Sequence, residues 1–166
     1  LALAAFSAFT AAPAAAQINV TINEFYDAPD FDVTDGVIDA DNLTPGNQIT
    51  LRAAFMHANF TGGNWKFQLP AGTYTLSLTG AGEDNAHAGD LDINAITAEV
   101  ECGFGIAIID AAVLGDRAFH VLGGGTFTLD RVTVRNAISV GGGALRQESG
   151  THLSIENVKI ENCSAT

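Results

Sequence analysis

Four carboxylates, Glu83, Asp84, Asp90 and Asp92, stand within the single stretch GEDNAHAGDLDI. Carboxylates crowded on a Gly-rich loop are donors for a hard cation, and calcium takes six to eight oxygens of this kind. Asp90 and Asp92 flank the apolar Leu91, so on a strand they would share one face. Two carboxylates placed so close need a cation or water between them. These four are the candidate metal ligands, with calcium as the ion. The competing reading is a solvated loop on an acidic protein. A second acidic stretch runs Asp30-x-Asp32-x-x-Asp35-Gly36, with Asp39 and Asp41 beyond it. It imitates an EF-hand and fails in detail. Thr34 stands where the third ligand belongs, Asp35 where glycine belongs, and Asp41 where a bidentate glutamate belongs. Weak cation binding of another kind stays open there.

Other reactive side chains are less organised. His57, His87, His120 and His152 have no metal-ligand spacing. His120 lies between Phe119 and Val121, and His152 precedes Leu153, so both are expected to point outward. Surface positions are the expectation for all four. Cys102 and Cys163 are more than two repeat lengths apart, too far for the roughly 6.8 Å reach of a disulfide between Cα atoms, and are expected to be unbonded. No catalytic residue is assigned.

The whole chain has 166 residues, 7 Lys+Arg against 19 Asp+Glu, and a net charge of −12. That balance argues against nucleic acid, whose binders carry a basic patch, and against docking on anionic lipid. Residues 1–16, LALAAFSAFTAAPAAA, carry no charge and end in small residues before Gln17. They have the pattern of a partial secretory signal peptide, expected to lack its true start. Nothing after them is long and apolar enough to span a membrane.

The elements that must hold these groups follow from periodicity. Residues 17–26 alternate as a strand, with Ile18, Val20 and Ile22 on one side. Residues 27–47 form an acidic loop, and 48–60 an amphipathic helix with a stripe of Ile49, Ala53, Met56 and Phe60, flanked by Leu51 and Phe55. Strands follow at Trp65–Leu69 and Tyr74–Leu78. Beyond Leu91 only short strands separated by Gly, Asn and Asp remain. The segment FTLDRVTVRN (127–136) repeats as LSIENVKIEN (153–162). Phe127 falls on Leu153, Leu129 on Ile155, Val132 on Val158, Val134 on Ile160 and Asn136 on Asn162. Such a repeat fits a solenoid of strands stacked about 4.8 Å apart; an antiparallel sandwich is the alternative. The amphipathic helix is placed to cover the solenoid's first turn.

The runs ITLRAAFMHAN (49–59), LPAGTYTL (69–76), GEDNAHAGDLDI (82–93), GDRAFHV (115–121), TFTLDRVTVRN (126–136), GGGAL (141–145) and LSIENVKIENCSA (153–165) resemble the CSLREA-type domain. That family comprises secreted bacterial and archaeal proteins. The resemblance implies an all-β fold, a right-handed parallel β-helix of the pectin-lyase-like shape, with the helix as its N-terminal cap. The motif departs here, since Ile49, Thr50 and Ala53 replace Cys, Ser and Glu, while Leu51, Arg52 and Ala54 match. Val37-Ile38 follow Asp35-Gly36 where the family often has another Cys. An apolar contact is expected in place of a disulfide.

Three segments result: a partial signal peptide (1–16), an N-terminal strand, acidic loop and capping helix (17–64), and β-helix rungs (65–166) expected to continue beyond the chain. The leading expectation is a secreted or cell-surface structural and interaction module that touches glycan or protein partners. The alternative is a polysaccharide lyase or other carbohydrate-active enzyme. A lyase needs a base facing a groove lined by acidic groups, and Arg131, Arg135, Arg146 and Lys159 face outward. For Arg135 the plainer expectation is an ion pair with Glu161 on the neighbouring rung. The two readings separate on whether three or more charged residues share one groove on adjacent rungs.

Overall fold

In the computed structural model, which describes residues 16–166, short alternating segments become strands that all pair in parallel. One sheet stacks β1 (Gln17–Thr21), β2 (Asn64–Gln68), β5 (Thr97–Glu101), β8 (Thr126–Asp130) and β12 (His152–Glu156) in that order. A second stacks β3 (Gly72–Thr75), β6 (Ala107–Asp110), β9 (Val132–Arg135) and β13 (Lys159–Glu161). A third holds β4 (Leu91–Asn94), β7 (Phe119–Leu122) and β11 (Leu145–Gln147), and a small fourth pairs β10 (Ile138–Ser139) with β14 (Ser164–Ala165). The protein is therefore mostly strands in parallel sheets, with one helix, α1 (Leu51–Thr61), among the described residues. The expected signal peptide lies outside the described residues except for Ala16.

Side-chain rows explain the stacking. Trp65, Ala98, Phe127 and Leu153 are successive register partners in the first sheet, as are Phe67, Val100, Leu129 and Ile155. Parallel strands place like residues over like, so each apolar row continues the one before it. Phe67, Val100, Phe127 and Leu129 are fully buried, whereas Ile18 on the first strand and Ile155 on the last are 45% and 47% exposed. Burial is thus supplied by the neighbouring layer, and strands at either end have only one.

The repeat of 127–136 in 153–162 is the observed register of β8 with β12 and of β9 with β13. Layers nearer the N-terminus are longer. His152 pairs with Thr126, Thr126 with Thr97 and Thr97 with Asn64, a spacing that widens at each step. Loops inserted between the short strands hide the repeat there. Left-handed residues make bends between consecutive strands. Asn136 and Asn162 adopt φ of 62° and 52° at matching bends, and Arg131 and Asn157 adopt 54° and 53°. Asn tolerates this region because its side chain bonds locally. Here Asn136 Nδ2 donates to Asp110 Oδ1 at 2.9 Å, on the neighbouring layer.

Helix α1 begins three residues later than its periodicity predicts. Thr50 is the N-cap and its hydroxyl accepts the Ala53 N–H at 3.0 Å. Gln48 and Ile49 stay outside the helix, where their N–H groups donate to Asp39 Oδ1 and Asn23 Oδ1. Ala53 and Met56 of the predicted stripe are buried, but Phe60 is 59% exposed. Arg52 and His57 are buried instead. The helix packs on β2 and β4, and Phe55 reaches Phe67, Phe119 and Phe127 at ring-centroid distances of 4.9, 6.1 and 6.2 Å.

The acidic segment before the helix is a chain of side-chain-capped turns. Asp30, Asp32, Asp35, Asp39 and Asp41 each accept the N–H two residues on, the Asx-turn arrangement. Asp27 and Asp30 face α1, where they meet Arg52 and His57. Cys102 and Cys163 are unbonded as expected, Cys102 buried and Cys163 half-buried. The expected Arg135–Glu161 pair does not form. Although the two are register partners, Arg135 turns to Asp110 on the other side (Nη2–Oδ2 2.7 Å), and Glu161 takes Lys159. Burial alone would raise the Asp110 carboxyl, but hydrogen bonds from Asn136 and Arg135 outweigh it and hold its pKa low.

Candidate functional site

Side chains on the outer face of the third sheet form one charged row. Asp92 on β4 is the register partner of His120 on β7, and His120 that of Arg146 on β11. Alternation sends Leu91, Ile93, Phe119 and Val121 into the core, where they are fully buried, and Asp92 and His120 to the other face. That face is covered by the loop between β3 and β4. Asp92 is therefore inaccessible and His120 nearly so.

The loop is built to stay in place. Glu83 accepts N–H groups from Asn85 and Ala88, and Asn94 Nδ2 donates to the Asp84 carbonyl. Arg52 reaches up from α1, donating to the carbonyls of Ala86 at 2.9 Å and Gly89 at 2.8 Å. Gly89 has φ of +66°, and a Cβ there would lie 2.0 Å from the Gly80 carbonyl oxygen. Gly89→Ala is expected to lower stability by roughly 1–2 kcal/mol from the left-handed backbone alone, with the steric clash adding to it. Urea unfolding checks this; an unchanged midpoint would remove the close approach of the two loop arms.

Between loop and sheet lies a cleft of about 520 Å³. Its charged lining includes Asp84, Asp90, Asp116, Arg117, Arg146 and Glu148. Arg117 Nη1 lies 3.2 Å from Asp90 Oδ2, and Asp116 Oδ1 accepts both the Arg117 N–H and the Ser139 hydroxyl. His120 Nε2 is 3.2 Å from Glu148 Oε1, and Nδ1 is 3.4 Å from Asp92 Oδ1. Asp92 Oδ2 accepts the Ala86 N–H at 2.9 Å, while Oδ1 is buried with no hydrogen-bond partner.

Burial sets the proton affinities. It pushes Asp90 up to about 7, aided by the Asp116 charge and opposed by Arg117. It pushes Asp92 up to about 8, with the Asp90 charge adding. For His120, burial and then Arg117 lower the pKa more than Glu148 raises it, so the ring is neutral near pH 7.

Of the four predicted ligands, Asp84 and Asp92 come together, and His120 joins them. One donor atom from each lies within 4.8 Å of the others. Glu83 is close in sequence, but its two oxygens cap the loop, and Asp90 faces Arg117. The histidine expectation needs correction for two residues. His57 and His120 are buried against Asp30 and Asp92, whereas His87 and His152 are exposed. His120 does leave the core face, and only the overlying loop buries it. Placing GDLDI (89–93) over RAFHV (117–121) would have exposed the Asp92–His120 pair in the sequence.

No family model, no curated protein and no solved structure matches this chain. No helix among the described residues is long and apolar enough to cross a membrane.

Proposed function

We propose that this chain is part of a secreted or cell-surface right-handed parallel β-helix of the CSLREA type, acting as a structural and interaction module. In this reading α1 is the cap of the first layer, and the cleft beside β4, β7 and β11 is the contact site for a glycan or protein. The fold part rests on the chain's rotation among three parallel sheets and on the helix buried against β2 and β4. Secretion rests on the apolar leader. The contact site rests on one observation: His120 and Arg146 are neighbours in one row of the third sheet and line a cleft that also holds Asp90, Asp116, Arg117 and Glu148, with Asp92 buried beneath His120 in the same row.

That same row favours a second reading, a polysaccharide lyase or other carbohydrate-active enzyme, because an enzyme requires such a groove. Arg146, about half exposed, would meet an acidic sugar, and the neutral His120 ring is of the type that accepts a proton. Calorimetry with galacturonate oligosaccharides, against neutral glucan oligosaccharides, tests the glycan contact. Binding is expected to weaken by about tenfold in Arg146→Ala, the scale of one charge-assisted hydrogen bond. Absence of heat with every saccharide would reject the glycan contact. Incubation with polygalacturonate, followed by ultraviolet absorbance, separates the readings. An unsaturated product makes the chain a lyase, new reducing ends without it make the chain a hydrolase, and the absence of both leaves the interaction module.

A further inference from the structure

We infer that the floor of this cleft is a site for one divalent metal ion of the zinc class, held by His120 Nδ1, Asp92 Oδ1 and a carboxylate oxygen of Asp84. The inference concerns the same cleft but rests on its donor atoms, and it stands or falls without any saccharide.

A metal ion displaces the protons of its ligands, and once Asp92 gives up its proton the hydrogen-bond pattern leaves two lone pairs facing each other. Glu148, as a carboxylate, can only accept, so the proton of the neutral imidazole lies on Nε2, 3.2 Å from Glu148 Oε1. Nδ1 then carries a lone pair and points at Asp92 Oδ1, 3.4 Å away. That oxygen is inaccessible to solvent and has no donor, while its twin is occupied by the Ala86 N–H. A buried carboxylate oxygen without a donor is costly and rare. A cation between the two atoms removes the cost.

The spacing suits such an ion. Two ligands about 2.1 Å from a tetrahedral metal stand roughly 3.4 Å apart. Glu148 behind the imidazole is the supporting carboxylate that fixes tautomer and ring orientation in metal-bound histidines. Asp84 supplies a third oxygen from the loop, whose backbone is tied to Asn94. It is exposed to the cleft, so the remaining coordination position opens toward whatever enters. Three protein ligands and an open position describe a reactive site more than a closed structural one.

The donor set also selects the metal. Calcium wants six to eight oxygens, yet Glu83 and Asp90, the other two carboxylates nearby, are engaged elsewhere. One imidazole nitrogen with two carboxylates suits zinc and its neighbours in the first transition row.

Chelator-stripped protein titrated with zinc chloride in a calorimeter tests the assignment, with cobalt(II) as a spectroscopic probe. One ion per chain is expected, together with a higher melting temperature and the intense visible bands of low-coordinate cobalt. Asp84→Asn and His120→Gln should each weaken binding by at least the roughly 10–100-fold seen when supporting residues of metal sites are lost. Calcium chloride should bind more weakly than zinc. Asp84 is exposed, so its variant keeps the fold, checked by circular dichroism, and remains decisive if His120→Gln unfolds. Three results would each overturn the site: no zinc binding at millimolar concentration, zinc binding indifferent to Asp84→Asn, or calcium binding tighter than zinc.

Discussion

Arg52→Met is expected to lower stability by about 3–5 kcal/mol, the loss typical when one partner of a buried ion pair is removed. The side chains of Arg52 and Asp27 are both inaccessible, joined by Nε–Oδ1 at 2.7 Å and Nη2–Oδ2 at 3.2 Å. The guanidinium also serves the carbonyls of Ala86 and Gly89. Asp27 Oδ2 in turn accepts the N–H groups of Ser77 at 2.6 Å and Leu78 at 2.8 Å. One residue pair thus ties together the acidic segment, the helix, and both arms of the loop over the cleft. Methionine retains much of the side chain's volume but leaves the Asp27 carboxylate without its cation and the two carbonyls without their guanidinium donors. At about 2–4 °C per kcal/mol for a domain of this size, the melting temperature should fall by roughly 6–20 °C. Adding Asp27→Asn removes the stranded charge, so the double variant should recover about 1–3 kcal/mol relative to the sum of the singles. Thermal and urea unfolding measure both quantities. A single-variant loss below about 1 kcal/mol, the size of an ordinary surface effect, would mean that the pair does not anchor the helix.

Phe55→Ala should be comparably severe, again about 3–5 kcal/mol, the usual range for a fully buried phenylalanine. The ring stands where the helix meets the sheets, against Phe67 of β2, Phe119 of β7 and Phe127 of β8. Its removal leaves a void bordered by three strands of two different sheets, which cannot all move inward. Phe60, further along the helix and 59% exposed, is the internal comparison. Phe60→Ala is expected to stay within about 0.5 kcal/mol, as for a surface change. Equal losses from the two substitutions would contradict the observed orientation of the helix.

Several of these elements are legible in the amino-acid order. The repeat places Phe127 over Leu153 and Val134 over Ile160, and the register agrees. It can be read because both copies are continuous alternating strands with matching Asn bends. The helix is legible from its stripe, but its start is not, because the N–H groups of Gln48 and Ile49 are taken by Asp39 and Asn23. The cleft is only half legible. An acidic cluster is visible at Glu83–Asp92, but Arg117, His120, Arg146 and Glu148 lie on or beside β7 and β11, one and two layers further along the chain. Each looks like an ordinary outward residue in its own segment.

Period-2 alternation by itself determined which side of each strand is apolar, and the match of one copy to the next determined the parallel register. Those are local properties, because a strand's side chains must alternate and equivalent rows must stack. The tertiary structure alone decided which outward residues became buried. Asp92 and His120 leave the core as alternation requires, yet a loop pinned by Arg52 covers them and turns two surface positions into a desolvated pair. That outcome depends on Arg52 of the helix meeting Ala86 and Gly89, groups far from it along the chain, a coincidence of stacking that no window of sequence contains.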